Sequence, residues 1–404
     1  MMKMINKRFL LIIIIVVALA VGFVGGSYFQ IQKISVPVVG DLINKGLGQP
    51  KNVDFATFWT AWNLLQDKYV DKGKLNAQEM VYGAIDGMVR TVGDPYTVFF
   101  KPKESKEFSE QISGSFSGIG IEIGLRDNVL TVIAPIKNTP AARAGLLAGD
   151  KILKVNDKST DGMAIDQAVS LIRGPKGTTV RLTYTREKMP SPTEITIKRE
   201  VIKVPAVDWK MLNDNTAYIG ISMFNGNLDS EFQKIADEIA ASKADRIILD
   251  LRNDPGGLLD SAINIAGYFL DSNKIVTIER FGNGTEQPFR TSANGKLKNY
   301  PLVALINKGS ASASEILAGA LKDNRGVTVV GETSFGKGSV QELTELPQKS
   351  SLKITIARWL TPSGKSIDEN GIKPDVEVKL TEEDIKAGKD PQLDKALELI
   401  KNLK

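Results

Sequence analysis

Three serines at alternate positions stand directly before a helical pattern, and they are the first candidates for chemistry in this sequence. Residues 302–320, LVALINKGSASASEILAGA, predict an apolar strand, a turn of small residues and a helix, so that one serine is exposed at the helix N-terminus. Backbone N–H groups and the helix dipole favour negative charge there, which suits an alkoxide or an oxyanion. The alternative is that Ser310, Ser312 or Ser314 only caps the helix.

A glycine-ended turn and a lysine between two glycines could complete such a site. In the stretch RIILDLRNDPGGLLD, free N–H groups at Gly256 and Gly257 are candidates for an oxyanion hole. In SFGKGSVQEL, Lys337 stands at the predicted start of a strand, where side-chain alternation places Lys337, Ser339 and Gln341 on one face. The alternative for Lys337 is an exposed lysine on a strand edge.

Two missing residue types restrict the chemistry further. The 404 residues contain no histidine and no cysteine, which excludes Ser-His-Asp triads, imidazole bases, cysteine nucleophiles, thiolate-bound metals and disulfides. A hydrolase of this composition needs a carboxylate or a neutral lysine as its base. Burial can lower the pKa of Lys337 enough to keep its amine neutral, and the uncharged Gln341 could hold that amine without restabilising the ammonium. The net charge of +5 is spread without a long basic run, so no nucleic-acid partner is expected.

An alternation of strands and helices must position these residues. From TAYIGISMF to LKITIARWL the pattern predicts strands separated by helices at 228–241, 258–270 and 312–323, which indicates an α/β core. RIILDL and LVALIN are expected to pair in parallel, because helices connect them. Chemistry in such sheets gathers where strands end and helices begin, which is where both candidate turns lie.

Residues 113–200 show a different pattern, of short strands with one short helical turn and one longer helix. GSFSGIGIEI and AGLLAGDKILKVND, in this order of elements, resemble parts of a PDZ domain. Free N–H groups beside an open strand edge can capture the terminal carboxylate of a peptide that adds as an extra strand. The candidates here are Gly118, Ile119, Gly120 and Ile121, and the alternative is that these glycines only make a tight hairpin.

The N-terminal pattern predicts export. Lys3, Lys7 and Arg8 precede an uncharged apolar run at 9–26, which has the length of a slightly short membrane-spanning helix. The basic residues predict a cytoplasmic N-terminus, with the body of the protein outside the cytoplasm. A cleavable signal peptide is the alternative, because the run contains ALA, a small-x-small cleavage pattern.

Together these motifs resemble the tail-specific, or carboxyl-terminal processing, peptidases, which are serine proteases with an inserted PDZ domain. The resemblance covers residues 53–380, and its most specific parts are INKGSASASEILAGAL and SFGKGSVQ. It implies that Ser312 is the nucleophile and that Lys337, 25 residues further on, is the general base. It also implies that Gln341 assists the lysine.

The resemblance further implies how an oxyanion would be stabilised. The donors would be the N–H of Ala313 and that of Gly256 or Gly257, a choice that the sequence leaves open. Glu315, in the same motif as the serine, is implied to orient the site rather than to react.

The expected fold is a multidomain α/β protein with a single N-terminal membrane anchor, a helical N-terminal segment, a β-rich PDZ domain and a mixed α/β serine protease core of the crotonase or ClpP type. Its predicted parts are a cytoplasmic tail at 1–8, the anchor or signal at 9–26, a linker at 27–52, the helical segment at 53–112, the PDZ domain at 113–200, the peptidase core at 201–380 and a C-terminal helical segment at 381–404.

The expected function is a serine endopeptidase that cleaves exported proteins near their C-termini after PDZ recognition of the substrate C-terminus. The expected partners are protein substrates with free or unfolded C-termini and the bacterial cell membrane, with a homodimer left open. No metal or organic cofactor is expected. The enzyme would be a single-pass membrane protein, or secreted if the N-terminal segment is cleaved.

Three alternatives stay open on the sequence. Arg173, at the end of the helix flanking the predicted peptide groove, could link peptide binding to domain position or be a solvated surface arginine. The whole chain could be a catalytically inactive, membrane-tethered PDZ scaffold. An α/β enzyme of the enoyl-CoA type is compatible with the order of elements by fold analogy alone.

Overall fold

The computed structural model describes residues 53–403, apart from 127–128, 137, 164, 187–188, 213–214, 293–294, 382 and 385–386. The predicted tail, anchor and linker, residues 1–52, lie outside the described residues. Within the described ranges, no helix combines the length and the apolar character needed to span a bilayer. The described residues divide into two compact units, with the boundary between residues 88 and 89.

Aromatic residues at helical spacing form the first of two N-terminal helices, as the sequence predicts. The helices are α1 (Ala56–Lys68) and α2 (Ala77–Arg90), with a short 3-10 turn at Lys72–Lys74 between them. On α1 the ring of Phe58 lies 4.8 Å from that of Trp59 and 6.1 Å from that of Trp62. Trp62 is buried, so this ring of α1 has a packing role.

The region that resembles a PDZ domain forms a six-stranded antiparallel sheet. Its strands follow the order β3-β4-β5-β7-β8, with β6 paired to β5, and a separate two-stranded sheet joins β2 to β9. The bounds are β2 (Ser115–Gly118), β3 (Ile121–Arg126), β4 (Val129–Pro135), α4 (Pro140–Arg143), β5 (Lys151–Val155), β6 (Lys158–Ser159), α5 (Ile165–Ile172), β7 (Thr179–Thr185), β8 (Thr193–Lys198) and β9 (Glu200–Lys203).

The sequence predicts one strand through GIGIEIG, and the structure breaks it after Gly118. Gly120 has a φ of +77°, and its carbonyl accepts hydrogen bonds from the Ile136 N–H and the Thr139 hydroxyl. These bonds turn the chain between β2 and β3, so the two segments belong to different sheets.

A second six-stranded sheet carries both candidate catalytic turns. Its order is β10-β11-β12-β15-β16-β19, and every pair after the antiparallel β10–β11 pair is parallel, including the predicted pairing of RIILDL with LVALIN. The bounds are β10 (Val207–Met211), β11 (Thr216–Ile221), α6 (Leu228–Ala241), β12 (Arg246–Asp250), α7 (Leu259–Phe269), β15 (Leu302–Ile306), α8 (Ala313–Arg325), β16 (Thr328–Gly331), β19 (Val376–Glu377) and α9 (Pro391–Ile400).

An antiparallel sheet carries the strand that follows Lys337. Its order is β1-β18-β13-β14, and β17 pairs with β18. The bounds are β1 (Val98–Phe100), α3 (Pro102–Ser113), β13 (Ile275–Phe281), β14 (Glu286–Arg290), β17 (Ser339–Glu345), a 3-10 turn at Pro347–Lys349 and β18 (Ser351–Leu360).

Side-chain alternation along the parallel strands buries both faces of their sheet. Ile247 and Leu249 of β12 belong to the large core that includes α6, α7 and α8. Ile248, between them, packs instead in a cluster with Ala396 and Ile400 of α9. The C-terminal helix therefore covers the second face of this sheet, as a mainly parallel sheet requires.

Candidate active site

The turn between β15 and α8 separates the three candidate serines by their surroundings. Ser310 is fully buried and its hydroxyl donates to the carbonyl of Leu251 at 2.7 Å. Ser314 is also fully buried, with its hydroxyl bonded to the carbonyls of Ala311 and Asp254. Ser312 alone of the three is partly exposed, and it lines a cavity of about 650 Å³. The first two serines therefore hold the turn, and Ser312 is the one presented for reaction.

The backbone of Ser312 is strained, which aims its side chain out of the turn. Its φ and ψ are +57° and −115°, a combination that non-glycine residues rarely adopt. The neighbouring turn approaches so closely that a Cβ on Gly256 would lie 2.5 Å from the Ala311 carbonyl oxygen and 2.8 Å from the Ser312 Cβ. A residue without a side chain is thus required at position 256.

Lys337 lies in the loop before β17 and lines the same cavity as Ser312. Its Nζ is 5.4 Å from the centroid of the Tyr96 ring. Burial lowers the pKa of Lys337, the positive charge of Lys353 lowers it further, and Glu315 acts in the opposite direction. The lysine therefore has the environment that a neutral amine at moderate pH needs.

Lys337, Ser339 and Gln341 line one cavity, as the predicted single face requires, but they are not three residues of one regular strand. The strand begins only at Ser339, and the register between β17 and β18 shifts between Val340 and Gln341. Because a bulge interrupts alternation, Ser339, Val340 and Gln341 all line the cavity. The Gln341 amide donates to the Ser339 hydroxyl at 2.7 Å and more weakly to Thr355. In the described residues its hydrogen bonds thus go to hydroxyls rather than to the Lys337 amine.

Glu315 connects the serine turn to the lysine loop. Its fully buried carboxyl accepts the Ser312 N–H at 2.7 Å and the Lys337 N–H at 3.0 Å on one oxygen. The other oxygen accepts the Gly336 N–H at 2.7 Å and the Ser334 hydroxyl at 2.6 Å. Burial raises the pKa of Glu315, and these four hydrogen bonds oppose that rise. The side chain holds the backbones of both catalytic candidates, which agrees with the orienting role implied by the sequence.

The hydrogen bonds of the glycine turn distinguish the two candidate oxyanion donors. The Gly256 N–H is already used, since it donates to the Asp254 carboxyl at 2.8 Å. Among the described residues, no acceptor is bonded to the N–H of Gly257 or to that of Ala313 at the start of α8. Both residues line the cavity with Ser312. Gly257 and Ala313 are therefore the better pair of donors for an oxyanion.

Sequence reasoning missed a second lysine in this cavity. Lys353 of β18 lines it, and its Nζ lies 5.5 Å from the Phe100 ring centroid and 5.2 Å from that of Phe108. Burial lowers the pKa of Lys353, with Asp94 acting in the opposite direction. No acidic residue lines the cavity within the part of the chain that the structure describes, nor do three or more acidic side chains gather there to hold a metal ion.

An ion-pair network behind the glycine turn was also missed. Arg252 pairs with Asp250 and, at 2.8 Å, with Asp390 at the start of α9. The Tyr218 hydroxyl donates to Asp250 at 2.7 Å, and Gln392 accepts from Arg252 at 3.0 Å. The only sequence signal for this network is the pair of charges in LDLR, whose distant partners no local pattern identifies.

The predicted peptide-binding residues also lie together, around a smaller cavity. A space of about 70 Å³ is lined by Arg173 and by hydrophobic and glycine residues, among them Gly118, Ile119, Gly120 and Ile121. That volume is about that of two water molecules, so the groove is narrow as it stands.

Arg173 contacts groups on two sides rather than pointing only into solvent. Its guanidinium carbon lies 4.4 Å from the centroid of the Phe116 ring, and an Nη atom is 3.8 Å from the Glu110 carboxylate on α3. The helix α3 also contributes Phe108 and Gln111 to the catalytic cavity, so the ion-pair partner of Arg173 lies on a helix that lines this cavity.

Three family profiles match the chain. The profile of peptidase family S41 matches residues 215–378, a PDZ domain profile matches 131–186, and that of the activating protease CtpB N-terminal domain matches 18–104. The first range includes both candidate turns and the Lys337 loop.

Two relatives agree with these profiles, and this chain spans about two thirds of the first and four fifths of the second. The carboxy-terminal processing protease CtpA of Bacillus subtilis is 39% identical over 307 residues, which are 76% of this chain and 66% of that protein. A carboxy-terminal-processing protease of Bartonella bacilliformis is 36% identical over 88% of this chain and 82% of its own length. A solved structure, the photosystem II D1 C-terminal processing protease, covers 80% of this chain and 92% of its own, with 27% identity and a TM-score of 0.49.

Proposed function

The chain belongs to peptidase family S41, and we propose that it is a serine endopeptidase in which Ser312 is the nucleophile and Lys337 the general base. One observation carries the proposal. Of the three serines in the turn, only Ser312 faces a cavity, and that cavity also holds a lysine whose pKa is lowered by burial. A neutral amine is the base that a serine hydroxyl needs in a protein without histidine.

The reaction follows from these positions. The Lys337 amine takes the proton of the Ser312 hydroxyl, whose oxygen attacks the scissile carbonyl. The N–H groups of Ala313 and Gly257 donate to the resulting oxyanion. The Lys337 ammonium then protonates the leaving amine, and water attacks the acyl-enzyme with the neutral lysine again as base. Glu315 keeps the serine turn and the lysine loop in register throughout.

A serine-reactive acylating probe tests this assignment directly. The expected result is one covalent label on Ser312, found by peptide mass spectrometry, and none on the Ser312→Ala variant. Ser310→Ala is a poor control because that hydroxyl holds the turn, so the exposed Ser363→Ala serves as the matched control. Labelling that is absent from the wild type, or unchanged in Ser312→Ala, would mean that the protein is not this enzyme and would favour a binding scaffold.

We further propose that substrates are proteins whose free C-terminus binds at Gly118, Ile119, Gly120 and Ile121. These residues line one groove together with α5, next to the edge strand β3, and β3 is where an extended peptide could add. Arg173 would report occupancy of the groove through Glu110 on α3. The name of the CtpA relative, a carboxy-terminal processing protease, supports this substrate class.

We also propose that residues 9–26 tether the enzyme to the bacterial cell membrane with its catalytic region outside the cytoplasm. The uncharged run behind Lys3, Lys7 and Arg8 supports a tether. Membrane fractionation with N-terminal sequencing of the mature protein tests it. An intact N-terminus in the membrane fraction is expected, whereas a processed chain in the soluble fraction would contradict the tether.

A further inference from the structure

Asp254 is a buried acid in the glycine turn that the proposed mechanism leaves unused. Its side chain has no exposed surface. One carboxyl oxygen accepts the Gly256 N–H at 2.8 Å, and the other has no hydrogen-bond partner among the described residues. A buried carboxyl oxygen without a hydrogen-bond partner is unusual in a folded protein and calls for a physical explanation.

Asp254 also joins the glycine turn to the serine turn. Its backbone carbonyl accepts the Ala311 N–H at 2.9 Å and the Ser314 hydroxyl at 3.1 Å. Ala311 and Ser314 flank the dipeptide that contains Ser312 and the oxyanion donor Ala313. The residue thus contacts both sides of the site where the oxyanion would form.

The environment of Asp254 favours the uncharged acid. If this buried carboxyl were ionised, one N–H group would be its only hydrogen-bond donor. A single hydrogen bond stabilises a carboxylate far less than the hydration that it loses on burial. Burial accordingly raises the pKa of Asp254 to about 8, against the lowering effect of the Gly256 N–H. The buried Glu315 carboxyl contrasts with it, since four donors point at its two oxygens.

Charged groups on the elements packed around Asp254 have partners of their own. On the same turn, Arg252 is paired with Asp250 and Asp390. On the serine turn, Lys308 is paired with Glu332 at 3.3 Å. On α8, the carboxyl of Glu315 accepts hydrogen bonds from backbone N–H groups. In the loop before β17, the Lys337 amine lies over the Tyr96 ring. None of them contributes to the shift of Asp254, which burial alone causes.

We propose that Asp254 is a positioning residue which works as a neutral carboxylic acid, and that the reaction requires this carboxyl to keep its proton. The inference rests on the proposed function, because it concerns the same oxyanion. Loss of the proton would place a negative charge in the turn that presents Gly257, where a second negative charge must develop. The reaction would then have two pH limits: Lys337 must have lost its proton and Asp254 must have kept its own.

The pH dependence of kcat/KM tests the proposal in wild type and in Asp254→Asn, which keeps the acceptor for the Gly256 N–H and cannot ionise. The wild type is expected to lose activity above about pH 8, by roughly tenfold at one unit beyond the midpoint. Asp254→Asn should retain measurable activity near pH 7 with the same rising limb, and it should lack the alkaline decline. Asp260→Asn, an exposed aspartate at the start of α7, is the matched control and should decline like the wild type.

Two results would overturn the proposal: the same alkaline decline in Asp254→Asn and wild type, or a folded Asp254→Asn without activity near pH 7. A purely structural aspartate would change the level of activity and leave the shape of the pH profile alone. The profile is therefore the deciding measurement.

Thermal unfolding tests the buried proton without any turnover. The unfolded chain releases this proton near the usual aspartate value, whereas the native state keeps it to about pH 8. The native state therefore binds more protons between these values, and stability falls as pH rises through them. In the Ser312→Ala background, the melting temperature should fall more between pH 4 and 8 when Asp254 is present than when it carries the Asp254→Asn substitution. If the melting temperatures of the two proteins fell equally with pH, Asp254 would not hold a proton in the native state.

Carbon-13 NMR of aspartate carboxyls in Ser312→Ala covers the case in which Asp254→Asn fails to fold. One aspartate carboxyl that is still protonated at pH 7 is expected, and its absence would overturn the proposal. Absence of cleavage by every variant at every pH would remove the proposed function, and with it the kinetic part of this inference. The melting and NMR results would still decide whether Asp254 holds a proton.

Discussion

The catalytic cavity and the predicted peptide groove differ in how firmly their walls are held. The catalytic cavity measures about 650 Å³, and the buried Glu315 carboxyl joins the turn of Ser312 to the loop of Lys337 through four hydrogen bonds that it accepts. The groove measures about 70 Å³, and the Phe116 ring and the Arg173 guanidinium narrow it. The ion pair of Arg173 with Glu110 is long and partly exposed, so it stabilises the narrow state only weakly.

This difference separates chemistry from recognition. The backbones that carry Ser312 and Lys337 are anchored before a substrate arrives, and such preorganisation is what stabilisation of a transition state demands. The groove must widen to accept a peptide, and the contacts that narrow it are weak enough to be replaced by a ligand. We therefore expect the peptide groove to select substrates. The catalytic cavity is expected to discriminate little between them.

The largest effect on activity is expected when the proposed catalytic side chains are removed. Ser312→Ala and Lys337→Ala should each lower kcat/KM by about 10³-fold or more, because the two side chains act as one unit. Both variants should keep the melting temperature of the wild type. Lys365→Ala, an exposed lysine on a nearby loop, is the control and should keep full activity. Near-normal turnover by either variant would contradict the assignment.

Glu315→Gln tests whether the catalytic cavity is rigid because of its buried acceptor. The amide puts N–H groups where backbone N–H groups already point, so we expect the free energy of unfolding to fall by about 2–4 kcal/mol. kcat/KM should fall by roughly 100-fold, since the serine turn and the lysine loop lose their common anchor. Denaturant unfolding and peptide cleavage measure the two effects. Glu345→Gln on the exposed end of β17 should change neither, and a silent Glu315→Gln would remove the basis of the comparison.

The peptide groove is tested by removing the charge of the substrate terminus. A peptide with a free carboxylate should be cleaved about 10-fold faster than its amide, because the amide loses charge-assisted hydrogen bonds to N–H groups. Gly120→Ala should abolish that preference, since its Cβ would lie 2.4 Å from the Thr139 Cβ and its φ of +77° disfavours a side chain. Cleavage of the amide should stay the same in both proteins. Equal rates for acid and amide in the wild type would mean that this groove does not recognise the terminus.

The smallest effect should come from Lys353→Met, which tests whether the charge of Lys353 acts on Lys337 in the catalytic cavity. The Lys353 charge disfavours the ammonium form of Lys337, so its removal raises the pKa of Lys337. The rising limb of the pH profile should therefore move to higher pH. Lys353→Arg keeps the charge and should leave the limb in place. A limb that stays in place in Lys353→Met would show that the second lysine does not act on the first.

The elements of the parallel sheet could be predicted from the sequence because their signals are local. The helix predicted at 228–241 has those bounds in the structure, and RIILDL pairs with LVALIN in parallel as expected. Lys337 and the serine turn could be named as candidates for the same reason, since each stands in a short motif beside such an element. The choice of Ser312 and the role of Glu315 rested on the family resemblance.

What the sequence could not supply depends on distant pairings and local irregularities. Lys353 reaches the cavity on β18, where it pairs with Leu343 and Val98, the latter 255 positions earlier in the chain. The bulge after Val340 has no turn residue to announce it, so the sequence did not indicate that Val340 would line the cavity beside Ser339 and Gln341. Asp254 looks like an ordinary turn residue until its burial is known.

The bond between Arg252 and Asp390 joins parts of the chain that are made at very different times during synthesis. Arg252 stands two residues before Asp254, and its partner follows 138 residues later, at the start of α9. During synthesis, the ion pair between Arg252 and Asp390 therefore cannot form until translation has passed residue 390. Such a sequence-distant contact is slow to form. A peptidase assembled in this order completes the support of its glycine turn only after the chain between the two partners, which stand 138 positions apart, has been made.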